Sequence, residues 1–206
     1  MTTLRRFSPI LVLFLSTPGT LFARTPSFAG YYVGGNVGYR NFGTTINNTT
    51  AQTSTKFTGN STVFEGFFGF GKSWKRLYMG YEVSAGLNTG RAKKGNSSVG
   101  NHHQFGLAAR IGAPLPNASI MPYLGLGLEY RQMDFKLSTT KKFYDYSIAP
   151  LLGLQYAIDE QWQMRVEGSY QLSVKDSKLQ SPYKFKASPS SFLFKGSVIY
   201  KLPTKD

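Results

Sequence analysis

The sequence predicts an all-β chain folded as an eight-stranded, antiparallel, up-and-down transmembrane β-barrel. Three observations predict it. Apolar and polar residues alternate with period two in eight stretches of about ten to fifteen residues, enough for a tilted strand to cross a bilayer. After residue 29 no apolar run approaches the roughly 20 residues of a spanning helix, and only helices and closed barrels satisfy their backbone in lipid. Finally, the charges inside these stretches sit on the face opposite the apolar one.

The N-terminus comes first. Residues 1–29 read as a signal peptide. Arg5 and Arg6 form its positive region, Phe7–Leu15 its apolar region, and Pro18-Gly19 breaks the run. Cleavage is expected after Ala29 (Ser27-Phe28-Ala29) or after Ala23 (Leu21-Phe22-Ala23); the first has the smaller −3 residue and is preferred. The apolar run is too short for an anchor helix. The chain has no cysteine, which excludes a lipid-anchoring cysteine, a disulfide framework and a thiolate metal site. Residues 30–202 are then the barrel and 203–206 a short tail.

The strands follow in order. In 30–40, Tyr31, Val33, Gly35, Val37 and Tyr39 oppose Tyr32, Gly34, Asn36, Gly38 and Arg40. In 62–71, Phe64, Phe68 and Phe70 oppose Glu65, and in 77–88, Leu77, Met79, Tyr81 and Val83 oppose Glu82. In 99–111, Phe105, Leu107 and Ile111 oppose Arg110; in 120–131, Leu124, Leu126, Leu128 and Tyr130 oppose Glu129 and Arg131. In 144–158 the apolar face is Tyr146, Ile148, Pro150, Leu152, Leu154 and Tyr156. In 162–174, Trp162, Met164, Val166 and Tyr170 oppose Arg165 and Glu167; in 190–202, Phe192, Phe194, Val198 and Tyr200 oppose Lys195.

The connectors alternate in length. Residues 41–60 form a long Thr/Asn-rich loop, expected to be mobile. Residues 72–76 form a short turn, 89–98 a longer basic loop, 112–119 a Pro/Gly/Asn connector, 132–143 a polar loop, 159–161 a tight turn and 175–189 a long polar loop. Such barrels have long loops outside and short turns in the periplasm, which requires an even strand number.

The mid-strand charges carry the inside-out reading. In a membrane barrel of eight strands the apolar face meets lipid and the polar face fills a narrow interior. Glu65, Glu82, Glu129 and Glu167 with Arg40, Arg110, Arg131, Arg165 and Lys195 are therefore expected to pair as a lumen network, because an unpaired charge there is very costly. Glycines on that face leave room for the long side chains. Girdle aromatics such as Tyr39, Tyr130, Tyr156, Trp162, Tyr170 and Tyr200 fit the same picture.

At this point the residues resemble a family. Ala29-Gly30-Tyr31-Tyr32-Val33-Gly34-Gly35-Asn36-Val37-Gly38-Tyr39 looks like the first strand of the small outer-membrane β-barrel, opacity-type surface proteins of proteobacteria. Met121-Pro122-Tyr123-Leu124-Gly125-Leu126-Gly127-Leu128-Glu129-Tyr130 is similar to its midpoint strand, and Phe192–Tyr200 resembles its closing strand. The chain departs from the pattern in carrying Lys201–Asp206 beyond that last aromatic residue. The resemblance implies an outer-membrane location and insertion by the barrel assembly machinery.

The formal net charge of +14 falls mainly in the connectors, which points to a basic loop surface and away from a nucleic-acid groove. The candidate anion-binding residues are Arg91, Lys93 and Lys94 in loop two, Lys136, Lys141 and Lys142 in loop three, and Lys175, Lys178, Lys184 and Lys186 in loop four. Asp134 and Asp176 offset them. The expected partners are outer-membrane lipid and lipopolysaccharide, with anionic host glycans or proteins as further candidates. His102 and His103 are the only histidines; as strand neighbours they are expected on opposite faces, which argues against one shared catalytic site. No cofactor, metal or enzymatic activity is expected. The reading is a structural or host-interaction surface barrel. Its alternatives are a narrow pore, which needs a continuous wet lumen, a soluble periplasmic barrel, which needs a polar outside, and a lipid A-modifying enzyme.

Overall fold

Alternation runs further along the chain than the predicted stretches. In the computed structural model, residues 28–48, 53–95, 97–116, 119–136, 140–174, 177–179 and 185–203 are described. The predicted signal-peptide segment apart from Phe28 and Ala29, and the predicted tail apart from Pro203, lie outside them. The strands are β1 (Gly30–Asn48), β2 (Thr53–Trp74), β3 (Leu77–Thr89), β4 (Arg91–Lys94), β5 (Ser97–Gly112), β6 (Ile120–Lys136), β7 (Thr140–Ala157), β8 (Trp162–Ser173), β9 (Ser177–Leu179) and β10 (Phe185–Lys201). The eight long strands pair antiparallel in the order β1-β2-β3-β5-β6-β7-β8-β10, and β10 pairs back onto β1. That last ladder runs from Tyr32 opposite Lys201 to Asn48 opposite Phe185 and closes the sheet, so no long edge is left. The short β4 and β9 pair with β5 and β10. No helix among the described residues is long and apolar enough to cross a membrane.

Burial is inverted relative to a water-soluble fold. Leu152 is 71% exposed and Leu124 63%, whereas Arg40 and Asp145 are at 0%. Within β1, Tyr31, Val33, Val37 and Tyr39 face out, and Tyr32, Asn36 and Arg40 face in. This is the arrangement that lipid selects, because hydrocarbon outside offers polar groups nothing.

Four connectors differ from expectation. Residues 41–60 are not a mobile loop over their described length. Asn41 pairs with Asn60, Phe42 with Gly59, and the ladder continues to Asn48 opposite Thr53. Likewise β6 and β7 extend to Lys136 and Thr140, β4 occupies much of 89–98, and β9 with the start of β10 occupies part of 175–189. In the first three segments the physical reason is inward apolar residues at strand period: Phe42 and Phe57, Ala92 and Val99, Met133 and Phe135 with Phe143. Threonine and aromatic residues also suit a pleated strand. By contrast, the short turns are as tight as predicted. Lys75 has a positive φ of 56° in the turn after β2, and the Asp159 carboxylate accepts the Gln161 and Trp162 amides, each at 2.7 Å.

The interior is not uniformly polar. Towards the hairpin end, Phe42, Phe57, Ala92, Val99, Met133, Phe135 and Phe143 form one apolar cluster. Towards the turn end, Tyr32, Phe67 and Ile199 form a second, and Phe28, Tyr78, Met121 and Ala157 a third. The charged side chains lie between these layers.

Candidate functional site

The charged layer is one connected network built from facing strands. Glu82 on β3 holds Arg165 of β8 at 2.7 Å and Arg110 of β5 at 3.0 Å. Glu167 on β8 accepts from the Arg110 Nε at 3.0 Å and Nη2 at 2.9 Å, from the Tyr123 hydroxyl at 3.0 Å, and meets Lys195 of β10 at 3.2 Å. Lys195 also meets Glu65 at 3.3 Å, and Glu65 accepts from the Gln104 amide. Gln104 in turn accepts from Asn88, whose own oxygen takes the Arg40 guanidinium, each at 2.8 Å. Arg40 reaches Glu129 at 3.3 Å, and Glu129 accepts from Gln171 at 2.6 Å. Arg131 is held by Asp145 through its Nε at 3.1 Å, and donates to Gln171 at 3.0 Å and Ser191 at 2.9 Å.

The structure brings all nine sequence-predicted lumen residues into this network. Sequence reasoning missed Asp145, the amides Asn88, Gln104 and Gln171, and Tyr123. Asp145 carried a readable signal: it lies on the face of its strand opposite Tyr144 and Tyr146. With Asp145 the layer holds five carboxylates against five cations.

Aromatic rings floor this layer. The Arg165 guanidinium lies 5.3 Å from the Phe67 ring centroid and 5.8 Å from those of Tyr32 and Tyr123. The lumen glycines make room for rings as much as for charges. A Cβ at Gly69 would stand 2.2 Å from the Tyr32 ring, and one at Gly86 2.5 Å from the Glu65 side chain.

The hairpin end is organised differently. Lys93, Lys136 and Lys142 are exposed. Arg91 is not a free loop cation: it donates to Asp134 at 2.9 Å and to Ser98 at 3.1 Å. Asp134 lies within β6, not in a loop, and also stands 3.2 Å from the His102 Nε2. The backbones of Lys94, Lys141, Lys178 and Lys186 lie in β4, β7, β9 and β10, whereas Lys175 and Lys184 lie outside the described residues.

The β5–β6 register shifts between Asn101 and Gln104, both buried, so two residues stand between inward positions where regular alternation allows one. His102 and His103 occupy that bulge, His102 partly exposed and His103 exposed, and alternation does not put them on opposite faces. Among the described residues, no group of three His, Cys, Asp or Glu side chains is placed to hold a metal.

The comparisons agree with this architecture. The chain is similar in structure to the outer membrane protein OprG from Pseudomonas aeruginosa, with a TM-score of 0.59 at 14% identity over 87% of this chain and 99% of that one. Neisserial surface protein A (NspA) matches with a TM-score of 0.50 at 14% identity, over 84% of this chain and 98% of that one. Ail of Yersinia pestis matches at 0.46 and 9% identity, over 84% and 99%. No curated protein matches the chain significantly in sequence. The family described as outer membrane protein beta-barrel domain matches residues 10–192, and the chain belongs to that family and to the bacterial outer membrane.

Proposed function

We propose that the chain is a non-enzymatic surface barrel with a sealed lumen that meets anionic surfaces through its basic hairpin end. The distribution of charge carries this reading. Within the lumen network five cations are matched by five carboxylates, so that layer contributes nothing to the net charge of +14. The basic excess lies outside. In sequence, Arg91, Lys93, Lys94, Lys136, Lys141, Lys142, Lys175, Lys178, Lys184 and Lys186 fall in loops two to four, against Asp134 and Asp176. At the turn end, Lys72, Lys75, Arg76 and Lys201 stand against Asp159 and Glu160, a smaller excess. Short turns mark the periplasmic side of such barrels, so the basic end faces out. A concentrated patch of one sign draws anions and loses that pull as salt rises. The phosphates of lipopolysaccharide and the anionic groups of host glycans are the partners this chemistry suits. The apolar layers above and below the ion pairs argue against a conducting pore, which needs continuous water.

The test is adhesion of intact cells to a sulfated glycan surface. Wild type is compared with a variant whose lysines in loops two to four are changed to serine, at matched surface expression. A large, salt-sensitive loss is expected. Equal adhesion by the two strains removes the basic loops from the function.

A further inference from the structure

We infer that the export signal is cut after Ala23, and that the retained segment ends in an aromatic stopper, Phe28, seated in the turn-end mouth of the barrel. The sequence pattern alone favours the bond after Ala29, because Ser27 is smaller than Leu21 at the −3 position. Cleavage there removes Phe28. Yet Phe28 is only 2% exposed and packs with Tyr78, Met121 and Ala157, themselves at 1%, 0% and 1%. Those three come from β3, β6 and β7, so Phe28 bridges strands that do not all neighbour one another. Without it, their apolar faces at the mouth would open to periplasmic water, which a barrel would have to tolerate permanently.

A second observation is independent of that packing. Gly30 has φ of +115°, a conformation that side-chain-bearing residues rarely adopt. That angle turns the backbone from Phe28 and Ala29 into β1. A residue that begins the mature chain has no preceding carbonyl and no such requirement. The glycine at 30 is thus explained by a chain that continues upstream.

Ala23 meets the demand of the cleaving enzyme for a small −1 residue, and lies nearer the apolar run Phe7–Leu15 than Ala29 does. A protease working at the membrane surface reaches such a bond without spooling out further chain. In the reaction, water adds across the Ala23–Arg24 amide. The acyl side leaves as the Ala23 carboxylate, keeping the water oxygen, and both hydrogens of the water end on the Arg24 nitrogen, which becomes a new α-ammonium group. The mature chain then keeps the six residues Arg24–Ala29.

The experiment is N-terminal sequencing and intact-mass measurement of the barrel isolated from outer membranes. A start at Arg24 is expected; a start at Gly30, or an uncut chain, overturns the inference. Two variants separate the bonds. Ala23→Phe should accumulate precursor, and Ala29→Leu should be cut at the same place as wild type; the opposite pattern assigns the cut to Ala29. The stopper has its own readout. Phe28→Ala, cut normally, should unfold several degrees lower in detergent, and an unchanged melting temperature removes Phe28 from the mouth.

Discussion

The lipid-spanning wall and the hairpin end of the barrel use one period-two pattern in opposite phase. On β6, Leu124, Leu126 and Leu128 point out and Arg131 points in; a few residues further, Met133 and Phe135 point in, and Lys136 is exposed. On β1 the change comes after Tyr39, with Asn41 exposed and Phe42 buried; on β2 it comes between Thr62 and Phe64, and on β7 between Lys142 and Tyr144. The sheet itself is continuous through these points. What changes is the solvent outside it. Against hydrocarbon, apolar residues gain nothing by turning inward, and polar ones have only the lumen. Above the lipid, water restores the ordinary rule and the inner face becomes a hydrophobic core. The four phase changes therefore trace the level at which lipid gives way to water, and they show that burial follows the medium and not the fold.

The strongest way to break this comparison is to remove a charge from the lumen. Arg131→Met leaves the Asp145 carboxylate, 0% exposed, without its guanidinium. Losing one partner of a buried pair costs about 3–5 kcal/mol, because the other charge stays desolvated. Denaturant unfolding of the detergent-folded barrel should show that loss as a lower midpoint. Glu129→Leu strips Arg40 and Gln171 of a shared acceptor and should fall in the same direction, by less, because the Glu129 side chain is 11% exposed and already reaches some solvent. If both variants unfold like wild type, water reaches the network and the lumen is not sealed.

Next in size is the core above the lipid. Phe135 is 6% exposed and packs edge-to-face on Phe57 with centroids 6.0 Å apart. Phe135→Ala should cost about 3 kcal/mol, the lower end for a buried aromatic. The loss should be local, since the spanning wall below has its own ladders. Hydrogen exchange should quicken in the paired ends of β1 and β2, around Phe42 and Phe57, and stay slow around Val37 and Phe64. Uniform quickening would mean that the wall and the hairpin end unfold as one unit.

The ion-pair layer was legible in the sequence because a Glu or Arg in mid-strand has no comfortable alternative. Glu65, Glu82, Glu167 and Lys195 announce the inner face by chemistry alone. The upper core was not legible for the converse reason. Phe42, Phe57, Met133 and Phe135 look like lipid-facing residues, and placing them on the apolar face of the strand below puts them out of register. Read that way they became loops. Period two persisted and only its phase moved, a signal that needs knowledge of where the bilayer ends. The bulge at His102 and His103 defeated alternation for a related reason: a single extra residue shifts the phase without any change in composition. Amide partners such as Gln104 and Gln171 were invisible because nothing in their type separates a lumen bridge from a wet strand.

The smallest effect comes from a second Arg–Asp pair anchored on the same strand. Arg91 and Asp134 meet at 2.9 Å much as Arg131 and Asp145 do, but the Arg91 side chain is 35% exposed and the pair sits beyond the lipid, on the water side. Partly exposed pairs contribute about 0.2–1 kcal/mol, and salt weakens them. Arg91→Met should therefore lower the unfolding free energy by no more than about 1 kcal/mol, with the difference shrinking in high salt, whereas the Arg131→Met loss should hardly respond to salt. Equal and salt-insensitive losses in the two variants would mean that Asp134 is as dry as Asp145, and that the boundary between the two media lies farther out along β6 than the phase change after Tyr130 puts it.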